Sequence, residues 1–141
     1  HSVAGIITSP PYLCMADYTL GQRLSYAWIA PEELADDFQR ELGARRLRTN
    51  PENALKLYVE GLMAFAIRME ALLCTGGFLA SVLGVSTAKA FCNGDILSTY
   101  DGALKEAGFN LLWHHFRDIH WQRNFGYAKL RNERISVHVK T

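Results

Sequence analysis

Residues 3–12 read VAGIITSPPY. The run Val3 to Ile7 is apolar and short, as a buried strand is. Pro10 and Pro11 then end regular structure, because proline has no backbone N–H to donate and biases the residue before it away from the helix. A strand that stops in this way delivers Ser9 and Tyr12 to a surface at its carboxyl end.

Outward from this unit the chain alternates helix and strand. Leu20, Leu24 and Trp28 recur every four positions after Asp17, which predicts a helix capped by Asp17 and broken at Ala30-Pro31. Pro31 opens a second helix, with Glu32 and Glu33 in its first turn, Leu34, Phe38 and Leu42 on one face and Gly43 as its stop. The longest helix follows Asn50-Pro51; its apolar positions 55, 59, 62, 66, 69 and 73 track a helical period, and Gly76-Gly77 ends it. Residues 78–83, between Gly77 and Gly84, read as a strand, and long helix into strand is the usual parallel-sheet connection. Ser98 begins a further helix, with Asp101 in capping-box-like spacing and Gly108 at its close. Asn110 to His120 and Arg134 to Lys140 read as strands, the latter because Ile135, Val137 and Val139 alternate with Ser136, His138 and Lys140. The polar stretch 121–133 joins them as a long hairpin connection. The expected fold class is α/β, a single domain over residues 1–141 with about four strands flanked by helices.

Composition agrees with a globular domain: 141 residues, 49% hydrophobic and 21% charged, supply enough apolar material for a core. The most apolar long stretch, Leu55 to Leu83, is interrupted by Glu60, Arg68, Glu70 and Gly76-Gly77, so no membrane-spanning helix is expected. No basic region followed by an apolar run opens the sequence, as a secretion signal would. Cys14, Cys74 and Cys92 are odd in number and widely spaced, the pattern of reduced thiols in a cytoplasmic protein.

The motif and its surroundings resemble the amino-methyltransferases that modify exocyclic amines of nucleic-acid bases with S-adenosylmethionine. The resemblance is to bacterial DNA N4-cytosine/N6-adenine methyltransferases, whose catalytic loop carries Asp, Asn or Ser before Pro-Pro-Tyr after an apolar strand. Here GIITSPPYLCMADYTLGQRLSYAWI is similar to that loop and the segment after it. GGFLASVLGVS resembles the next strand with its Gly-x-Ser exit, although Val85 stands where the family often has Asn, and STYDGALKEAGFNLL resembles the helix and strand that follow. The likeness runs from Val3 to Thr141 and is specific in the first 30 residues. It implies a partial Rossmann-like sheet, mostly parallel with a C-terminal antiparallel hairpin strand.

The chemistry implied by the resemblance is that of a poor nucleophile made better. The lone pair of an exocyclic amine is delocalised into the base. Acceptors aimed at its two protons favour a pyramidal nitrogen and stabilise the positive charge that grows as a methyl arrives. Ser9 would supply a side-chain oxygen and Pro10 its carbonyl, Pro11 would hold the turn rigid, and Tyr12 would stack on the base. The base must first leave the duplex, and aromatic stacking returns about 1–3 kcal/mol of that cost. The family's donor site, a strand followed by a glycine-rich turn with an acidic residue at the next strand end, has no counterpart, because Gly76, Gly77 and Gly84 form no such cluster. S-adenosylmethionine is thus implied without its full site, and the expectation is a truncated chain or the substrate half of a split enzyme, inactive alone. In the resembling fold the loop-bearing strand lies in mid-sheet, so Val3 to Thr8 would be an apolar edge covered by a homodimer partner or by a separate donor-half chain.

Charge marks the DNA-binding candidates. Residues 40–48 hold Arg40, Arg45, Arg46 and Arg48 against Glu41, and residues 117–140 hold six basic side chains against Asp118 and Glu133, interleaved with Trp121, Phe125 and Tyr127. Arg23, Arg45, Arg46, Arg123, Lys129 and Arg131 are the candidate phosphate contacts, although solvated surface charge accounts for such clusters equally well. His114, His115, His120 and His138 read as structural or surface residues, since adjacent histidines of a strand point to opposite faces and no matching ligand spacing exists. Cys14, Tyr26 and Trp28 read as packing. A noncatalytic interaction or nucleic-acid-binding remnant, and a fragment of an RNA base amino-methyltransferase, remain as alternatives.

Overall fold

The computed structural model describes residues 2–86, 95–119 and 130–141, with the side chains of residues 85, 86, 130 and 131 outside that description. Asn50 and Pro51 start the longest helix, α4 (Pro51–Leu72), as expected: the Asn50 side chain accepts from the Asn53 N–H, and Pro51 occupies the first turn, where its missing donor costs nothing. The buried stripe of α4 is Ala54, Tyr58, Leu62 and Ala66, one residue off the predicted stripe in the first two turns. On a neighbouring face Gly61 allows close approach, since an added Cβ there would overlap the Leu42 side chain.

The end of α4 differs from expectation. Helix gives way to strand directly at Leu73, and Gly76-Gly77 lie inside β2 (Leu73–Ser86). The stop is tertiary: Lys140 Nζ donates to the carbonyls of Glu70 and Leu73 at 2.7 and 2.9 Å, satisfying helix-end acceptors from a distant strand. The glycines serve a bulge instead. Between the pairs Val3–Leu73 and Gly5–Phe78 the register shifts, and Gly76 takes a φ of +76°.

Four strands form one sheet in the order β1-β2-β4-β3, with β1 Val3–Thr8, β3 Phe109–Asp118 and β4 Leu130–Lys140. β1 pairs parallel to β2, while β4 pairs antiparallel to both β2 and β3, so three strands share a direction and β4 opposes them. The α/β expectation is met, and β1 stands at the edge of the sheet.

One face of the sheet carries α4 and α5 (Ile96–Glu106). Leu79 and Leu83 of β2 join Tyr58, Leu62, Ala66, Tyr100 and Leu104 in the core. α5 is capped by Asp95, whose carboxylate accepts the N–H groups of Leu97 and Ser98; the predicted cap pair Ser98 and Asp101 lies within the helix. Asp101 points to the sheet instead, taking both Arg134 Nη atoms at 2.8 and 2.6 Å and His138 Nε2 at 3.2 Å. The helix predicted after Asp17 is two short pieces, α1 (Tyr18–Gly21) and α2 (Arg23–Ile29), and its apolar stripe is exposed, Trp28 at 89%. Asp17 caps neither: it accepts the Arg46 N–H at 3.0 Å. The helix predicted from Pro31 begins at Leu34 (α3, Leu34–Arg40), and a 3-10 turn, Arg45–Thr49, follows Gly43.

Candidate functional site

Ser9 to Tyr12 lie where β1 ends, beside the carboxyl end of β2, which is where α/β sheets place their ligands. Ser9 is exposed and Pro10 buried, with Pro11 and Tyr12 partly buried. Ser9 Oγ donates towards the Val82 carbonyl at 3.2 Å and lies 3.5 Å from Tyr12 Oη. Among the described residues nothing donates to the Pro10 carbonyl, whereas the Pro11 carbonyl accepts from Tyr58 Oη of α4 at 2.8 Å.

The loop is held from several distant elements. Tyr12 Oη donates to Glu133 Oε1 of β4 at 2.8 Å, and Glu133 Oε2 pairs with Arg117 of β3. Beyond Tyr12 the backbone turns through Cys14, whose φ of +56° is unusual for a residue with a side chain. Both backbone groups of Cys14 are tied, its N–H to the Gly43 carbonyl at 2.7 Å and its carbonyl to Arg48 Nε at 2.8 Å. Gly43 is required there: at φ +68° an added Cβ would press on the Tyr12 carbonyl and the Tyr58 ring, both at 3.1 Å. The loop therefore arrives preorganised, the condition for acceptors that act on developing charge.

Electrostatics keep the two tyrosines neutral. Burial pushes the Tyr12 phenol up to about 12, opposed by the Ser9 hydroxyl and reinforced by the Glu133 carboxylate, so at neutral pH Tyr12 is a donor. Burial also holds the Tyr58 phenol well above its usual value. Cys14 is a core thiol raised by burial against the opposing charge of Arg48, which leaves it protonated and unreactive.

The candidate phosphate contacts separate. Arg23 and Arg45 are exposed, Arg23 donating to the Leu20 carbonyl. Arg46 is engaged within the protein: its guanidinium lies 3.0 Å from Glu41, 3.6 Å from Asp17 and over the Phe38 ring. Arg123 and Lys129 lie outside the described residues, as does the side chain of Arg131. No cluster of three metal-ligating side chains occurs among the described residues. His115 stacks on Trp113, His114 meets Phe116 edge-on, and His138 is buried under α5. Among the described residues no helix is long and apolar enough to cross a membrane.

Among the described residues the loop offers acceptors, and the glycines expected of an S-adenosylmethionine site are used elsewhere. Gly76 and Gly77 serve the bulge at the start of β2, and Gly84 pairs with Glu133 inside the sheet, so among the described residues none of these builds a glycine-rich turn at a strand's carboxyl end. Glu133, Arg117, Tyr58, Arg48 and Gly43 all support the loop, yet no local pattern singles them out, because each reaches it from another element.

No family model matches the sequence, and no curated protein matches it. Among solved structures the chain is similar to TTHA0409 of Thermus thermophilus, assigned as a DNA modification methylase. The complex of that protein with S-adenosyl-L-methionine gives a TM-score of 0.57 at 19% identity, over 99% of this chain and 46% of the other. Its selenomethionine derivative gives 0.52 at 17%, over 99% and 45%. The likeness is one of fold: this chain has a methyltransferase-like α/β fold and spans less than half the length of those chains.

Proposed function

We propose that this chain is the substrate half of an S-adenosylmethionine-dependent DNA base amino-methyltransferase acting on cytosine N4 or adenine N6. The observation that carries the reading is the held Ser-Pro-Pro-Tyr loop at the carboxyl end of β1, with an exposed Ser9 and a Pro10 carbonyl unclaimed among the described residues. Ser9 and Pro10 accept the two amine protons, Pro11 stiffens the turn, and Tyr12 stacks on the extruded base. S-adenosylmethionine, bound by residues of another segment or chain, supplies the methyl group. Arg23 and Arg45, both exposed, serve DNA phosphates, with Arg123, Lys129 and Arg131 assigned on sequence alone.

Two features support a covering partner, whether a donor-half polypeptide or a second copy. β1 is an open edge, and the sheet face away from α4 and α5 presents Ile7, 81% exposed, and Phe78 beside Val137 and Val139. Apolar edges and faces of this kind seek cover. The overlap with less than half of the similar chains agrees with a donor half as occupant.

The test is calorimetric titration of S-adenosylmethionine into the chain, alone and with a polypeptide supplying the donor half, followed by methyl transfer to DNA. Transfer only in the combined sample, lost in Ser9→Ala and Tyr12→Ala variants that remain folded, is the expected result. Absence of binding and transfer in both samples, with no retained DNA affinity, would sink the reading; retained DNA affinity without transfer would favour the noncatalytic remnant. Transfer to RNA in place of DNA would move the substrate to the alternative class. Light scattering that finds a clean monomer excludes the homodimer and leaves the donor half.

A further inference from the structure

We propose that Glu133 is the positioning residue of the Ser-Pro-Pro-Tyr loop, fixing the Tyr12 ring and directing the Ser9 proton inward so that the outward side of Ser9 Oγ is an acceptor. The inference rests on the base-amine reading above and assigns the part of the site that no motif marks. Glu133 sits on β4, 121 positions from Tyr12, with its side chain largely buried. Its cross-strand partner on β2 is Gly84, which contributes no side chain to compete for the space. Both carboxylate oxygens are used, Oε1 by the Tyr12 hydroxyl at 2.8 Å and Oε2 by Arg117. Arg117 is itself more than half exposed, so it compensates the carboxylate while keeping its own solvation.

The proton arithmetic follows from which atoms can donate. The single Tyr12 hydroxyl proton goes to Glu133, so towards Ser9 the Tyr12 oxygen can only accept. The other neighbour of Ser9 Oγ, the Val82 carbonyl at 3.2 Å, is also an acceptor. Two inward acceptors draw the one Ser9 proton inward, and the lone pairs of Ser9 Oγ are left for the amine N–H that the proposed reaction presents. Without Glu133 the Tyr12 hydroxyl is free to donate to Ser9, and the Ser9 proton is free to turn outward, where it repels the amine. Tyr12 is meanwhile held at both ends, by Glu133 at the hydroxyl and by the Tyr58 contact to Pro11 at the backbone.

The test uses the whole chain and the variants Glu133→Ala, Glu133→Gln and Tyr12→Phe. The first readout is the carbon-13 resonance of the Tyr12 Cζ at neutral pH, identified by its loss in Tyr12→Phe, which reports the hydrogen bond to the carboxylate. The second is quenching of a single-stranded oligonucleotide carrying 2-aminopurine, which reports stacking on the loop. Glu133→Ala should shift the Tyr12 resonance towards that of an exposed tyrosine and weaken oligonucleotide binding about tenfold, the size expected for one charge-assisted hydrogen bond. Glu133→Gln, whose amide oxygen still accepts, should bring the affinity back to within about threefold. An unchanged Tyr12 resonance in Glu133→Ala overturns the proposal, as does equal weakening in the Gln and Ala variants, which would mark a merely structural role. If the unaltered chain does not quench the oligonucleotide while the Tyr12 resonance responds as expected, the base-amine reading fails and the hold of Glu133 on Tyr12 stands.

Discussion

On the sheet face covered by α4 and α5, β4 presents Arg134, Ser136 and His138, each buried to within a few per cent; on the opposite face it presents Ile135, Val137 and Val139, which are only partly buried. The polar set is inside and the apolar set faces out. What makes the inside tolerable is pairing: Asp101 of α5 answers both Arg134 and His138, and Ser81 bonds Ser136 at 3.1 Å across the β2–β4 ladder. What makes the outside expensive is that Ile7 and Phe78 add to it with no second layer among the described residues. Polarity therefore does not decide which face of this sheet is core; the position of the helices does.

The largest test of this contrast removes the partly buried carboxylate that answers the two buried basic side chains. Asp101→Ala leaves Arg134 and His138 facing α5 without compensation and should cost about 3–5 kcal/mol in denaturant unfolding. A loss below 1 kcal/mol would mean that the polar cluster is solvated and that the covered face is not a core. Leu79→Ala, at a fully buried position of the same face, should cost about 2–4 kcal/mol through lost transfer energy and a cavity, whereas Val137→Ala on the open face should cost less than half as much. Equal losses at the two positions would erase the distinction between the faces.

Acidification sharpens the contrast further. Burial holds the His138 imidazole below its usual value of 6.5, with Asp101 opposing that shift and Arg134 adding to it. The unfolded chain then binds a proton that the folded chain refuses. Stability is therefore full above about pH 6.5 and falls as pH drops below it, by up to about 1.4 kcal/mol per pH unit, until the folded-state value is reached. Thermal unfolding from pH 7.5 to 5 should follow this slope, and His138→Asn should flatten it. The smallest effect is expected at the edge: Ile7→Lys should change the stability of the isolated chain by less than about 0.5 kcal/mol, because the side chain is already exposed, while lowering self-association in light scattering. A loss comparable to that of Leu79→Ala would show that Ile7 is covered in solution by a second copy.

Much of this architecture is legible in local pattern. The strand before the prolines, the cap and first turn of α4 and the alternation in β4 all rest on residue types acting within a few positions, and each lies where expected; Gly43 does not, because α3 already ends at Arg40 and its left-handed φ serves the turn against Tyr12 and Tyr58 instead. The misplacements share one cause. Lys140 ends α4 from 67 positions away, so Gly76-Gly77 are free to form a bulge. Asp101 is drawn out of a capping role by Arg134 on the sheet, and Asp17 by the backbone of Arg46, leaving α1 and α2 as separate short pieces. Arg46 likewise reads as a free cation in sequence because Asp17 and the Phe38 ring reach it only in space, and because which arginine Glu41 takes is decided by the fold.

The candidate site divides along the same line. Ser9, Pro10, Pro11 and Tyr12 are contiguous, so their residue types alone specify a rigid turn that displays an oxygen and an aromatic ring after a strand. The direction of the Ser9 proton and the anchoring of Tyr12 come from Val82 on β2 and Glu133 on β4. Hydrogen bonds of that kind depend on distances between segments remote in sequence, and only the assembled sheet brings those segments within about 3 Å of one another.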